Sequence, residues 1–267
     1  MSPATSAVHV PVLRVPEDPG ARLAFSDRAS GNMSLIVGHG DPVTARARLA
    51  GAVGLDGADA VFMEQAHHAG VAVVGREDRG RGLHHHDAAV PGVDALVTRD
   101  VDVLLVVLVA DCVPVLLVDP GRAVAAVHAG RRGVAAGVVP ACVEVLTDQP
   151  GRAAAVIGPA IGGCCYEVPD DLADAVAGAL PTARSRTRWG TTGLDLPTAV
   201  EHQLATAGVS SVRRVGACTR CNRDRWFSHR GDRSGPQGRQ AGAVCRRSRG
   251  TPTGSASRLP GLGRGRA

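Results

Sequence analysis

The sequence predicts a mixed α/β sandwich folded as a single domain, and three features of the chain point that way. Its centre carries consecutive β-branched and leucine runs of the kind that form strands buried on both faces. Segments with helical spacing alternate with such runs along the chain. Of the 267 residues 44% are hydrophobic but only 2% aromatic, so the core is built from Val, Ala, Leu and Ile, which suits sheet packing.

Residues 1–20 read as an irregular lead-in with one short strand at Val8–Val15. Pro42–Leu55 has helical spacing, with Ala and Leu on one face and Arg46 and Arg48 on the other; Asp41 supplies an N-cap before a first-turn proline. Asp59–Val74 reads as two short strands around the polar insert Gln65–Gly70, and Arg76–Pro91 as a loop rich in Gly, charge and His. Val103–Val109, Val113–Val118 and Ala123–Val127 are the buried strands, the last two joined by the turn signal Asp119-Pro120-Gly121-Arg122. A helix over Gly133–Thr147, a strand at Ala153–Ile157, helices over Asp170–Leu180 and Pro197–Ala207, and a late strand at Val212–Ala217 complete the pattern.

The charge is unevenly spread. All 30 basic residues are Arg, and the formal net charge is +5. Residues 246–267 hold six Arg and no acid, which leaves 24 Arg against 25 acids elsewhere. The expected organisation is therefore a catalytic domain over 1–245 and a disordered Arg/Gly/Ser/Pro tail over 246–267. A near-neutral body argues against a nucleic-acid partner, although a binding protein that works through its tail is the non-enzymatic alternative. The apolar stretch Val101–Val118 is broken by Asp102, Asp111 and Pro114, so no membrane span is expected. Seven Cys behind an opening without a secretory core predict reduced thiols and a cytoplasmic location.

Chemistry-bearing residues gather around the central hairpin. If Val113–Val118 and Ala123–Val127 pair across the turn, Cys112 lies before the first strand and His128 after the second. Pairing Val118 with Arg122 sets Cys112 opposite His128, within reach of one metal ion; pairing it with Ala123 turns them to opposite faces. A thiolate and an imidazole suit zinc, whose catalytic sites use three protein ligands and keep one position open. His67, His68 and the run His84–His86 are candidates for the third ligand. A metal-free alternative makes Cys112 a nucleophile and His128 its base. The segment Cys218-Thr219-Arg220-Cys221 is a C-x-x-C, but no second such pair accompanies it, and it is set aside as a zinc site.

Gln65-Ala66-His67, Ala110-Asp111-Cys112-Val113-Pro114-Val115-Leu116-Leu117 and Val127-His128-Ala129-Gly130 resemble the three metal-ligand motifs of the YfiH-like family, also called the polyphenol oxidoreductase laccase family. Gly158-Pro159-Ala160-Ile161, Cys165-Tyr166-Glu167-Val168, Asp195-Leu196, Cys218-Thr219, Phe227-Ser228-His229-Arg230 and Gly238-Arg239-Gln240 extend the resemblance in order over residues 20–244. It implies a YfiH-like, cysteine-hydrolase-like α/β sandwich and a zinc site of His67, Cys112 and His128. The implied activity is purine nucleoside phosphorylase, with purine nucleoside and phosphate as partners and adenosine deaminase as a second activity. Adenosine, inosine, guanosine and methylthioadenosine are the expected nucleosides. Arg132 is then the candidate for holding phosphate, and Asp111 for orienting a ligand or acting as a base. Ser228, Arg230 and Arg239 are candidate substrate contacts, and Cys164 and Cys165 are read as structural. Arg131 stands where the family has Trp, so pocket packing is expected to differ. The competing readings are a copper-dependent polyphenol oxidase and a hydrolase that edits peptidoglycan precursors. A multicopper relay needs many His in H-x-H pairs, and the chain has 10 His with one such pair, inside His84–His86.

Overall fold

The hydrophobic runs resolve into two large sheets in the computed structural model, which describes residues 10–232 and 237–248. In chain order the elements are β1 (Val12–Val15), β2 (Asp18–Phe25), α1 (Pro42–Ala52), β3 (Ala60–Phe62), β4 (Val71–Val73), β5 (Ala95–Thr98), β6 (Leu104–Val109), β7 (Val113–Asp119), β8 (Ala123–Ala129), α2 (Arg131–Ala135), α3 (Val138–Leu146), β9 (Ala154–Ile157), α4 (Asp170–Ala179), β10 (Arg184–Arg186), β11 (Thr192–Leu194), α5 (Leu196–Thr206), β12 (Ser211–Arg214) and β13 (Gln240–Arg246). One sheet has the order β1-β2-β13-β6-β3, the other β12-β9-β7-β8-β5-β4, and β10 and β11 form a separate ribbon.

The two sheets face each other across an apolar layer in which Leu105, Val107 and Val109 of β6 meet Leu116, Val118, Val124 and Ala126. The other face of the β7–β8 sheet carries Val113, Val115 and Leu117 against Val139, Val143 and Leu146 of α3 and Leu204 of α5. The outer face of the β6 sheet carries Leu104 and Val106 against Leu49 and Val53 beside α1. The result is a helix–sheet–sheet–helix stack. Both faces of the central strands are covered, which is why these segments read as unbroken apolar runs rather than alternating ones.

Helix starts follow local chemistry. Asp41 accepts from Thr44 N–H at 3.0 Å ahead of Pro42, and Asp195 accepts from Thr198 N–H at 3.0 Å ahead of Pro197. The helix expected over Gly133–Thr147 is two helices, because Gly137 adopts a left-handed φ of 81° between α2 and α3. Arg46 is not on the solvent face of α1. It is buried, donates to the carbonyls of Met33, Gly82 and Leu83, and lies 4.0 Å from the Phe62 ring. Desolvation lowers its pKa to about 10.

The lead-in is more regular than expected. It holds β1 and the start of β2, and β2 pairs with β13 in the middle of a sheet; residues 8 and 9 of the expected first strand lie outside the described residues. The late strand is Ser211–Arg214, not Val212–Ala217. The expected boundary between residues 245 and 246 falls inside β13, where Arg246 reaches Asp18 and Arg247 reaches Asp102. Residues 249–267, most of the expected tail, lie outside the described residues.

Candidate metal centre

The chain crosses between the two sheets at neighbouring points, and both crossings carry side chains of the site. The first follows β3, where Gln65 and His67 take positive φ values of 65° and 62° before the chain enters β4. Gln65 makes this bend hold: its amide donates to Leu108 C=O at 2.6 Å and accepts from Leu108 N–H at 2.8 Å, continuing the β3–β6 ladder with a side chain. The second crossing is Ala110-Asp111-Cys112 between β6 and β7, with Asp111 at φ 85°. Left-handed backbone at non-glycine residues costs free energy and persists where surrounding contacts enforce it.

Those contacts are visible for Asp111. Its carboxylate accepts from Thr219 Oγ1 at 2.6 Å and from Arg230 N–H at 2.7 Å, while its carbonyl accepts from Ile161 N–H at 2.9 Å. Each carboxylate oxygen has a partner, and these bonds strap the loops around Cys112 together.

The β7–β8 register differs from both alternatives the sequence left open. Asp119 pairs with Ala123, Val118 with Val124 and Pro114 with His128. The connection is three residues long, with Pro120 and a Gly121 of φ 75° in the pattern of a type II turn. The pairing is thus shifted by two residues from the one that opposes Cys112 and His128. A shift of two preserves the face, so the two become diagonal neighbours on the inter-sheet side.

His67, Cys112 and His128 each offer one ligand atom, and these atoms lie within 4.8 Å of one another. The rings of His67 and His128 meet edge to face at 4.7 Å between centroids. Gly130 is the wall of this cluster. A Cβ there would sit 2.7 Å from His67 Nδ1 and 3.3 Å from both Cys112 Sγ and His128 Cε1. The cradle is therefore open only because residue 130 has no side chain. Two nitrogens and one sulfur in such a space form a donor set that fits a zinc-sized cation.

Asp94 organises the cluster and was missed by sequence reasoning. It is fully buried; Oδ1 lies 2.7 Å from His128 Nδ1, and the two oxygens accept the N–H groups of His67 and His68 at 2.9 and 2.7 Å. With Nδ1 engaged, His128 turns Nε2 toward Cys112, the carboxylate–histidine arrangement common at metal sites. In the metal-free protein burial disfavours the charged imidazole of His128, but the Cys112 sulfur and the Asp94 carboxylate outweigh it and raise its pKa to about 9. His67 is held below its usual value, first by desolvation and then by His128, with Arg239 and Arg132 adding to the effect.

Two cavities flank the cluster. One is lined by His67, His128, Gln65, Arg239 and His86; the other by Cys112, Asp111, Arg131, Tyr166 and Arg230. Arg132 is exposed on α2, and Arg239 is half-buried in the His67 cavity. Among the described residues the guanidinium of neither has a hydrogen-bond or ion-pair partner. Arg230 donates to Glu167 C=O and stacks 5.0 Å from the Tyr166 ring. Ser228 is buried, its hydroxyl accepts from Gly231 N–H at 3.0 Å to close a turn, and it does not itself line either cavity. His84–His86 are exposed, and of the three only His86 borders the His67 cavity.

Fold and site together define a two-sheet α/β protein with a candidate metal centre where its sheets exchange chain. The chain belongs to the YfiH-like family; the family model described as multi-copper polyphenol oxidoreductase laccase matches residues 26–247. A purine nucleoside phosphorylase of Streptomyces coelicolor is 44% identical over 241 residues, covering 84% of this chain and 95% of that protein. An adenosine deaminase from an unknown prokaryotic organism is 36% identical over 196 residues, covering 70% of this chain and 75% of that protein. The crystal structure of YlmD from Geobacillus stearothermophilus superposes with a TM-score of 0.83 at 35% identity, covering 92% of this chain and 98% of that one. Among the described residues no helix is long and apolar enough to cross a membrane.

Proposed function

We propose that the chain is a zinc-dependent purine nucleoside phosphorylase with adenosine deaminase activity, acting in the cytoplasm through the residues that precede the tail. The observation that carries this reading is the convergence of His67, Cys112 and His128 on a space kept open by Gly130, beside a cavity that holds the Arg239 guanidinium, which has no partner among the described residues. Relatives named for both activities support it.

Zinc held by these three residues would supply a Lewis acid to polarise an oxygen of water or substrate. The remaining roles belong to the chain. Arg239, with Arg132 beyond the cluster, binds phosphate through guanidinium hydrogen bonds and sets it against C1′ of the ribose. Asp94 fixes the His128 tautomer, and Asp111 positions the Cys112 loop. Tyr166 and Arg230 offer a stacked face for the base, and Arg131 borders that face where the family has Trp. Adenosine, inosine, guanosine and methylthioadenosine are the substrates in this reading.

A second reading draws on the approach of Cys112 to His128, with Asp94 behind the imidazole, which has the order of a nucleophile, base and orienting acid. The two are separated with zinc-loaded protein, inosine and adenosine, with and without phosphate. The phosphorylase releases hypoxanthine and ribose 1-phosphate from inosine only when phosphate is present, and loses activity to a chelator. No base release under any metal loading, or activity that survives chelation but not thiol alkylation, refutes it. A phenol-oxidation assay on copper-loaded protein tests the copper reading.

A further inference from the structure

The C-x-x-C set aside in the sequence has a partner that spacing did not show. Cys164 and Cys165, on the turn that follows Gly162-Gly163, come against Cys218 and Cys221, and one Sγ from each lies within 4.8 Å of the other three. From this geometry we propose a second metal site in the chain: a tetrathiolate centre of Cys164, Cys165, Cys218 and Cys221 that takes a thiophilic divalent cation of the zinc class.

The distances suit it. Tetrahedral zinc with bonds of about 2.3 Å holds its sulfurs about 3.8 Å apart. Cys221 Sγ lies 3.7 Å from Cys164 Sγ and 3.5 Å from Cys165 Sγ, and none of the four is in a disulfide. The surroundings suit a cluster of negative sulfurs as well. Gly162 N–H donates to Cys218 Sγ at 3.3 Å. Arg188 acts electrostatically on Cys221, Arg220 donates to Cys165 C=O, and both guanidiniums stack on Trp189. Four thiolates around a dication carry a net charge of −2, which these two cations offset. Cys164 and Cys221 are exposed, which gives the ion a route in.

The site joins two loops that both touch the Cys112 crossing. Thr219, inside the C-x-x-C, donates its hydroxyl to Asp111 and its N–H to Ala160 C=O, and the adjoining Ile161 donates to Asp111 C=O. Its role is structural: it clamps the loops that hold Asp111, and through it Cys112, in position. It does not depend on the phosphorylase reading, because its signature is metal content and ligand type rather than turnover.

The test uses zinc alone as the probe. The full chain carrying both His67→Gln and His128→Gln, loaded with zinc and desalted under reducing conditions, is expected to keep one zinc per chain. Zinc-edge X-ray absorption of that sample is expected to show four sulfur scatterers at about 2.3 Å. Loss of all zinc, or a shell of nitrogen and oxygen, overturns the proposal. Cys221→Ser in the otherwise unaltered chain is expected to lower zinc from two per chain to one; an unchanged content overturns it. If that variant does not fold, the double histidine variant still decides, since it leaves all four sulfurs in place.

Discussion

Replacing Gly130 by Ala is a perturbation whose effect follows almost entirely from geometry. The backbone there has φ −74° and ψ 163°, an extended conformation that alanine adopts without strain, so the metal-free fold is expected to survive. The new methyl carbon, however, would stand 2.7 Å from His67 Nδ1 against the 3.4 Å at which ordinary contact begins. The imidazole must retreat by roughly 0.7 Å, several times the ~0.2 Å tolerance of a metal–ligand bond. Cys112 Sγ and His128 Cε1, each at 3.3 Å from the same point, are only slightly compressed. The substitution therefore acts on one ligand of three. Zinc affinity of this site, read by competition with a chromogenic chelator, is expected to fall by about 10–100-fold or more, while the thermal midpoint of the chelated protein stays near that of the unaltered chain. Retention of full affinity at this site in Gly130→Ala would show that His67 does not approach the ion past residue 130, and would refute the reasoning.

Three further outcomes follow from the same site. Asp94→Asn places an amide where Asp94 now accepts from His128 and from two backbone N–H groups; one buried donor loses its acceptor, so stability is expected to fall by about 1–3 kcal/mol and zinc affinity by about 10–100-fold, as measured by urea unfolding and chelator competition. Arg239→Ala is expected to raise the KM for phosphate by about 10–100-fold, the loss of a charge-assisted hydrogen bond, with the zinc content unchanged; an unaltered phosphate KM removes Arg239 from the site. The pH dependence has opposite signs with and without metal. His128 has a folded pKa of about 9 against an ordinary 6.5, so its contribution to metal-free stability is fully present below pH 6.5 and is lost as pH rises through 9. Zinc must displace that proton, so affinity at the His67–Cys112–His128 site is expected to increase over the same window; thermal unfolding of chelated protein and zinc titrations check the two slopes.

The legible parts of the sequence were those whose signal is local. Val103–Val109, Val113–Val118 and Ala123–Val127 declare themselves because both faces of each strand are buried. β13 was missed because Gln240-Ala241-Gly242-Ala243-Val244-Cys245-Arg246 is small-residue and Gly-containing; Gly242 is required where Phe25 crowds the strand, its absent Cβ lying 3.0 Å from that ring. Asp94 immediately precedes β5, after Pro91-Gly92, and reads as an ordinary strand-edge acid; only the fold turns it under His128. The hairpin register depended on which residues close the turn: Asp119-Pro120-Gly121-Arg122 leaves open 119–121 or 119–122, whereas the pairing of Asp119 with Ala123 places 120–122 in it. Cys164 and Cys165 sit more than fifty residues before Cys221, the Cys164–Cys221 separation being 57, and no spacing rule joins an adjacent pair to a C-x-x-C. His67, Cys112 and His128 were found through the motifs around them, while their mutual arrangement came from two chain crossings at one end of the sandwich.

The most direct measurement is anomalous diffraction from crystals of the zinc-loaded chain, recorded on either side of the zinc edge. The account predicts a peak bonded to His128 Nε2, to Cys112 Sγ and to one ring nitrogen of His67, with Gly130 as its wall. Occupied zinc elsewhere in the chain with nothing between these three side chains would contradict it.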